Sequence, residues 1–147
     1  MLKNKGYRFL VADDDADDFL FLKDALSEIA PEVEVAHLDS CIKLVDLMES
    51  SESPDLIFLD LNMPVFSGRE CMKQIRVHNR WKNVPVIIYS TSNAEQDVKS
   101  CMEDGADLYI VKPNSFKALL NLVKKVMDMD WKNRSIIQKE EFLLYEN

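Results

Sequence analysis

Five short apolar runs alternate with longer amphipathic stretches along the chain. The runs cover residues 7–12, 33–38, 56–59, 86–90 and 107–111, and the second of them alternates apolar with polar residues, as in a half-exposed strand. After each run, apolar residues recur at the three- and four-residue spacing of a helix with one buried face. Strands separated by helices of this length are normally parallel. The pattern therefore predicts five strand–helix units, and the uninterrupted run at 56–59 indicates a strand buried on both faces of the sheet.

Polar residues near the helix ends supply start and stop signals. Ser67 and Ser92 each precede a glutamate by three residues, which is the spacing of a capping box. Ser40 is a further candidate N-cap, and Gly105 is placed to end a helix in the left-handed conformation. Other cap candidates are Asp15, Asp17, Asp18, Asn114 and Ser115. These signals predict helices of ordinary length between the strands.

The alternation of strands and helices predicts an α/β fold with right-handed crossovers. We expect a five-stranded parallel, doubly wound sheet in the flavodoxin-like order 2-1-3-4-5, that is, a (βα)5 architecture. Residues 1–130 are expected to form this single domain. Residues 131–147 carry apolar groups and are expected to form a C-terminal tail that is too short for an output domain.

Composition and charge exclude several classes of protein. The net charge of −8 argues against a general nucleic-acid surface, which needs clustered Lys and Arg. No apolar run approaches the length of a membrane span, and no export signal opens the chain. Cys41, Cys71 and Cys101 are odd in number and widely spaced, so we expect buried reduced thiols and a cytoplasmic protein.

Chemically active side chains follow four of the five predicted strands. Asp13 and Asp14 follow the first strand, and Asp60 follows the third. Ser90 ends the fourth strand and Lys112 follows the fifth. In a doubly wound sheet, ligands bind outside the carboxyl ends of the strands where the strand order reverses, which here lies between strands one and three. The sequence therefore predicts a site that brings these side chains together.

Carboxylates that meet at one edge of a sheet need a counter-charge. Two unit charges about 4 Å apart repel by on the order of 4 kcal/mol at an effective dielectric constant near 20. An all-oxygen site without Cys or His suits Mg²⁺, or Mn²⁺, better than zinc. With a hydroxyl and an ammonium group added, the set fits phosphoryl transfer onto a carboxylate.

These residues resemble a known family. The motifs are Asp13-Asp14, the segment Asp60-Leu61-Asn62-Met63-Pro64 with Gly68 following, Ser90, and Lys112-Pro113. In this order and spacing they resemble the receiver domain of two-component response regulators, over nearly the whole chain. The acidic stretch after the first strand is similar to that of small stand-alone regulators of the chemotaxis and phytochrome-kinase type.

The resemblance implies a phosphoacceptor and a metal site. Asp60 would accept a phosphoryl group from a sensor histidine kinase or a histidine phosphotransfer protein. Asp14, Asp60 and the backbone carbonyl of Asn62 would bind Mg²⁺ directly, and Asp13 would contribute mainly through a water. Such a protein catalyses its own phosphorylation and dephosphorylation at Asp60 and is otherwise not an enzyme.

The resemblance also implies a conformational switch. Ser90 would donate a hydrogen bond to a phosphoryl oxygen, Lys112 would pair with it, and Tyr109 would turn inward as Ser90 moves. The Lys112–Pro113 peptide bond would be cis. Output would pass to a downstream protein partner through the face of the fourth helix, fifth strand and fifth helix. The same face is a candidate surface for a homodimer.

Three other functions compete with this interpretation. A hydrolase of the haloacid-dehalogenase type also uses a strand-end Asp, but it needs a second Asp where Asn62 stands. A flavodoxin-like binding protein needs a Ser/Thr- or Gly-rich loop after the first strand, where this chain carries acids. A receiver-shaped scaffold that is never phosphorylated has no need for the acids and Lys112.

Overall fold

The computed structural model describes residues 6–131 and 142–144, which form five helices and six strands. The strands are β1 (Arg8–Ala12), β2 (Glu34–Leu38), β3 (Leu56–Leu59), β4 (Val86–Ser90), β5 (Leu108–Val111) and β6 (Leu143–Leu144). The helices are α1 (Ala16–Ile29), α2 (Cys41–Ser50), α3 (Gly68–Val77), α4 (Glu95–Glu103) and α5 (Phe116–Asp128). Within these ranges, no helix has the length and apolarity needed to cross a bilayer.

The sheet has the strand order β2-β1-β3-β4-β5-β6, and all its pairings are parallel. The predicted order 2-1-3-4-5 and the five strand–helix units are thereby confirmed. β1 pairs with β3 in a register that sets Ala12 opposite Leu59. Because β1 and β3 end level with each other, the residues that follow them lie side by side at the carboxyl edge.

Two apolar layers cover the sheet, one on each face. Alternate strand residues such as Phe9 and Phe58 pack with α1 and α5, while Leu10 and Ile57 pack with α2, α3 and α4. All four residues of β3 are fully buried, as its unbroken apolar sequence predicted. At about 1.5–3 kcal/mol for each large side chain removed from water, this burial is the main force that holds the strands in register.

Most of the predicted helix caps are present. Asp15, Ser40 and Ser115 accept hydrogen bonds from backbone amides of α1, α2 and α5, and Ser67 forms a capping box with Glu70. Gly105 has a φ of 101° just after α4, so it ends that helix in the conformation that glycine tolerates best.

The second predicted capping box is wrong. α4 begins at Glu95 with Ala94 at the N-cap, and no side chain caps it. Ser92 instead donates to the carboxylate of Asp97 and accepts from the amide of Ala94. The side chain of Ser92 thus belongs to the loop after β4, and the acidic first turn stabilises the helix start in place of a cap.

The cysteines correct another expectation. Cys41 at the start of α2 and Cys71 on α3 form a disulfide, so two of the three thiols that we expected to be reduced are paired. Cys101 on α4 is free and buried, and burial raises the pKa of its thiol to about 12. The pairing could not be predicted from sequence, because the two cysteines are 30 residues apart and only the packing of α2 on α3 brings their side chains together.

Two further expectations differ from the structure. The described residues contain no cis peptide bond, so the Lys112–Pro113 bond is trans and the expectation of a cis bond is wrong. The sheet has one more strand than predicted, because residues of the C-terminal tail add β6 to the edge of β5. Other parts of the predicted tail, residues 132–141 and 145–147, lie outside the described residues.

Candidate functional site

Acidic side chains from β1 and β3 meet at the carboxyl edge of the sheet. Asp13 and Asp14 directly follow β1, and Asp60 directly follows β3. One carboxylate oxygen from each of the three residues lies within 4.8 Å of the other two. Asp13 is 1% exposed and Asp60 is 5% exposed, whereas Asp14 faces solvent. The structure therefore brings together the three carboxylates that the sequence predicted to meet.

Lys112 supplies a positive charge opposite these carboxylates. Its Nζ atom lies 2.9 Å from Asp13 Oδ2, 2.8 Å from Asp18 Oδ2 and 3.4 Å from Asp60 Oδ2. Burial alone would lower the pKa of this lysine, but the hydrogen bonds to Asp18 and Asp13 and the charge on Asp60 outweigh burial and raise it. Lys112 is therefore a permanent cation within the site.

Asp60 carries a weakly acidic carboxyl group. Burial is the largest influence and raises its pKa from the ordinary 3.8 to about 6. The charge on Lys112 lowers the pKa, whereas the charge on Asp13 raises it further. A carboxylate that is costly to ionise without added positive charge is well suited to bind a divalent cation or to receive a phosphoryl group.

Backbone contacts hold the two buried carboxylates in place. Asp13 Oδ1 accepts a hydrogen bond from the amide of Asp15 at 2.9 Å. Asp60 Oδ1 accepts one from the amide of Asn62 at 3.3 Å. Asn62 therefore lies beside the site through its backbone, and the ligand role of its carbonyl stays a prediction. These contacts leave the Oδ2 atoms of Asp13 and Asp60 to face Lys112.

Gly68 sets how closely α3 approaches the site. A Cβ atom at this position would lie 2.2 Å from the carbonyl oxygen of Asp60 and 2.7 Å from the Cα atom of Leu61. Its amide also donates to the carbonyl of Leu61 at 2.9 Å. The helix start can therefore sit against the backbone of Asp60 only because residue 68 has no side chain.

Ser90 and Tyr109 form a connected pair beside the acidic site. Ser90 is fully buried, and its Oγ accepts from the amide of Ser92 at 3.2 Å. The hydroxyl of Tyr109 donates to the carbonyl of Ser92 at 2.8 Å, and the Tyr109 side chain is 0% exposed. The aromatic ring therefore occupies the inward position, and burial raises the pKa of its hydroxyl.

Three residues that contact the site were missed from sequence: Asp18, His37 and Tyr89. Asp18 binds Lys112, although its position in the first turn of α1 indicated a cap. His37 stacks on Phe19 with ring centroids 4.1 Å apart, and its Nε2 donates to the carbonyl of Asp13 at 2.7 Å. Lys112 Nζ lies 5.3 Å from the ring centroid of Tyr89, a cation–π distance. Asp18 lies in the first turn of α1, which directly follows the acids at the end of β1, and this closeness in sequence could have indicated that its side chain faces the same edge.

The comparisons with known proteins agree with this geometry. The family model for the response regulator receiver domain matches residues 9–124. This chain belongs to that family. The chemotaxis protein CheY1 of Helicobacter pylori is 26% identical over 120 residues, which cover 82% of this chain and 96% of the relative.

Solved structures of receiver domains also resemble this chain. The phosphorylated cyanobacterial phytochrome response regulator RcpA has a TM-score of 0.76 at 25% identity, covering 86% of this chain and 94% of that one. The Mn²⁺-bound form of response regulator Rcp1 has a TM-score of 0.75 at 26% identity, covering 84% and 93%. Receiver domains act in two-component signalling, where they contact histidine kinases or phosphotransfer proteins and downstream targets. This receiver domain is therefore a phosphorylation-dependent signalling protein of the same class.

Proposed function

We propose that Asp60 is the phosphoacceptor of this receiver domain. Asp60 is buried beside two further carboxylates, and its Oδ2 atom lies 3.4 Å from the ammonium group of Lys112. That single arrangement carries the proposal, because it combines a carboxylate nucleophile with positive charge for a bound phosphoryl group. The donor is a phosphohistidine on a sensor histidine kinase or on a histidine phosphotransfer protein.

The proposed reaction transfers a phosphoryl group between two side chains. A carboxylate oxygen of Asp60 attacks the phosphorus atom, the phosphorus–nitrogen bond breaks, and the imidazole leaves with the bonding electrons and takes up a proton. Lys112 pairs with a phosphoryl oxygen, and Ser90 donates a hydrogen bond to another. Hydrolysis of the acyl phosphate by water returns Asp60 to the carboxylate. Beyond this chemistry at its own Asp60, the protein acts as a signalling protein rather than as an enzyme.

We infer that Mg²⁺ is the resident cation. The carboxylates of Asp13, Asp14 and Asp60 and the carbonyl of Asn62 would hold it, and oxygen donors of this kind suit Mg²⁺ or Mn²⁺. The cation supplies positive charge that offsets repulsion among the carboxylates and the phosphoryl oxygens. The bound Mn²⁺ of the related Rcp1 supports this inference.

The output of the protein is proposed to be a changed interaction surface. A movement of Ser90 and Tyr109 would change the face formed by α4, β5 and α5, since Tyr109 lies on β5 and bonds the loop that precedes α4. A downstream protein, or a second copy of this chain, would bind there. We also propose a cytoplasmic location, without contact to nucleic acid or membrane, and a receiver unit that spans residues 1–130.

The proposal is tested with acetyl phosphate as a small donor in the presence of Mg²⁺. Intact-mass spectrometry should show the gain of one phosphoryl group in the natural protein and in Asp24→Asn, a control on the exposed face of α1. Asp60→Asn should show no gain, and chelation of Mg²⁺ should abolish the gain in the natural protein and in Asp24→Asn. Labelling that persists in Asp60→Asn would contradict the proposal, as would steady turnover of a generic phosphate ester.

A further inference from the structure

The edge of β5 is covered by a C-terminal segment of the same chain. β6 runs parallel to β5, with Tyr109 opposite Leu143 and Ile110 opposite Leu144. The amide of Tyr109 donates to the carbonyl of Phe142 at 2.9 Å. A free sheet edge presents unpaired backbone groups and readily accepts an extended peptide as a further strand. The edge of β5 is therefore a binding surface for a peptide backbone.

Phe142 anchors this segment. Its side chain is 3% exposed, and its ring centroid lies 6.4 Å from that of Tyr109. It belongs to the apolar cluster that also contains Cys101 of α4. Full burial of a phenylalanine side chain stabilises a contact more than the net contribution of a single backbone hydrogen bond. The aromatic side chain therefore decides whether the short strand stays docked.

Tyr109 connects the segment to the phosphorylation site. Its ring contacts Phe142, and its hydroxyl bonds the carbonyl of Ser92. The amide of Ser92 in turn bonds the hydroxyl of Ser90, at the end of the strand that neighbours β3 and Asp60. Phe142 contacts the Tyr109 ring while that ring is turned inward. Docking of the segment therefore favours the inward conformation of Tyr109 over an outward one.

The connection from α5 allows this chain to supply the segment itself. Trp131 is buried, and its indole donates to the carbonyl of Val126 at 3.0 Å, so the chain is held at the end of α5. Eleven residue steps separate Trp131 from Phe142, a reach of up to roughly 36–40 Å when extended. Because α5 returns to the amino edge of the sheet, a parallel strand can begin there without crossing the site.

We propose that the edge of β5 and the surface over Tyr109 form a docking site for an extended segment with one aromatic and then aliphatic residues. Its occupant is residues 142–144 of this chain, the β6 segment. Docking of the β6 segment and phosphorylation of Asp60 both favour the inward Tyr109, so each strengthens the other by the same factor. The coupling rests on the proposed function, whereas the docking does not. A partner that binds along β5 must displace the β6 segment.

Hydrogen exchange of the Tyr109 amide measures docking directly in the full chain. Phe142→Ala should accelerate this exchange by roughly tenfold, because the amide loses its partner when the segment leaves. The control Leu20→Ala removes a half-exposed apolar side chain from α1 and should leave the exchange unchanged. An unchanged rate in Phe142→Ala would overturn the docking site.

A synthetic peptide with the sequence of residues 139–147 tests the occupant. Added to the Phe142→Ala protein, it should slow exchange of the Tyr109 amide, and the same peptide with Ala in place of Phe should not. In the natural protein, the protection should be independent of protein concentration. Protection that increases with concentration would assign the segment to a second copy and overturn the intramolecular occupant.

The coupling is tested with acetyl phosphate and Mg²⁺ under identical conditions. We expect Phe142→Ala to lower the steady-state phosphorylated fraction by about threefold relative to the natural protein and to Leu20→Ala. An equal fraction in all three proteins would overturn the coupling and leave the docking result intact. Absence of phosphorylation in the natural protein would instead overturn the proposed function.

Discussion

Asp60 is the residue on which opposing influences are most evident. Its carboxyl group is 5% exposed, and burial raises its pKa to about 6 despite the nearby ammonium group of Lys112. Folding therefore favours the protonated form of this side chain relative to the unfolded chain, where the pKa is close to 3.8. In the metal-free protein, the ionised Asp60 opposes folding.

This balance predicts a pH-dependent stability effect of Asp60→Asn. Below about pH 4, the carboxyl group is protonated in both states and the substitution should change little. Between about pH 4 and pH 6, the unfolded chain loses this proton while the folded protein keeps it, so the natural protein loses stability up to about pH 6 and the neutral amide avoids that loss. At pH 8 with a chelator present, we expect the free energy of unfolding of Asp60→Asn to exceed that of the natural protein by on the order of 1–3 kcal/mol. Urea unfolding at both pH values measures it.

Asp24→Asn serves as the control. Because Asp24 is exposed, replacing its carboxylate by an amide should change the free energy of unfolding by the same small amount at every pH. If Asp60→Asn destabilised the protein at pH 8, or stabilised it equally at pH 4, burial could not be the main influence on the carboxyl group of Asp60.

Lys112 is the partner that makes the acidic cluster tolerable without metal. It contacts three carboxylates within 3.4 Å, and removal of one member of a buried ion pair typically costs about 3–5 kcal/mol. We expect Lys112→Met to lower the free energy of unfolding by about 3 kcal/mol in chelator. Mg²⁺ should recover more stability in this variant than in the natural protein, because the lysine no longer competes with the cation.

Thermal unfolding with and without Mg²⁺ provides the measurement, and Lys117→Met on the exposed side of α5 is the matched control. A Lys112→Met protein as stable as the natural one in chelator would mean that solvent screens the carboxylates more than their burial indicates.

At the scale of elements, the side chain of Arg76 adds a polar connection between α3 and the segments before β4 and β5. The guanidinium group of Arg76 donates to the carbonyls of Val84 and Gly105 and to the carboxylate of Asp107. These acceptors lie before β4 and before β5, so one residue ties together three segments. Such a fork cannot be read from sequence, because an arginine late in a helix is equally consistent with a solvated position.

We expect Arg76→Leu to lower the free energy of unfolding by about 2–3 kcal/mol, since it leaves several carbonyls without a donor. Arg76→Lys should recover only part of this loss, because an ammonium group cannot form the planar fork. Urea titration of the two variants compares them. Equal stability of Arg76→Lys and the natural protein would show that charge alone, rather than the geometry of the fork, matters at this position.

The disulfide between Cys41 and Cys71 links α2 to α3 across 30 residues of sequence. A loop of this length predicts a stabilisation of about 2–4 kcal/mol through restriction of the unfolded chain. Reductant should therefore lower the free energy of unfolding of the natural protein by that amount and leave Cys71→Ser unaffected. Thiol titration of the unfolded, unreduced protein should find Cys101 alone.

As a control, Cys101→Ser should retain the full effect of reductant, because Cys101 takes no part in the bond. Three titratable thiols in the unreduced protein would contradict the disulfide and restore the expectation drawn from sequence.

Helix caps illustrate how far a local pattern reaches. The spacing of Ser67 and Glu70 correctly predicted a capping box, because the side chain of each residue bonds the backbone amide of the other at the start of α3. The same spacing at Ser92 and Glu95 failed. There the backbone of Ser92 bonds Ser90 and Tyr109, so the loop adopts the shape that these buried partners require.

At the scale of the whole molecule, strand order creates the site. Asp13 and Asp60 are 47 positions apart in the chain, and they meet because β1 and β3 are neighbours with level carboxyl ends. Their meeting was predictable from sequence. The apolar runs and the helical spacing between them indicate a doubly wound sheet, and in such a sheet the residues at the ends of neighbouring strands lie at one edge. The net charge of −8 adds to the demand for a cation at this edge.

Contacts that depend on side-chain direction or on the tail were not predictable. Asp18 could cap α1 or bind Lys112, and only the tertiary packing of α1, which lies against α5, selects the ion pair. β6 contains two residues, too few for a recognisable alternation, and the burial of Phe142 beside Tyr109 selects its place. Both outcomes follow from distances between segments that are remote in sequence.

The sequence by itself determined the order of strands and helices, the two buried faces of the sheet and the acidic character of its carboxyl edge. These properties follow from periodicity and from the residues at strand ends, which are local. The tertiary structure alone decided the partners of Lys112, the disulfide between α2 and α3, the fork of Arg76 and the docking of Phe142 on Tyr109. For each of these residues the sequence allows several chemically reasonable contacts, and the close packing of segments that are distant in sequence selects one of them.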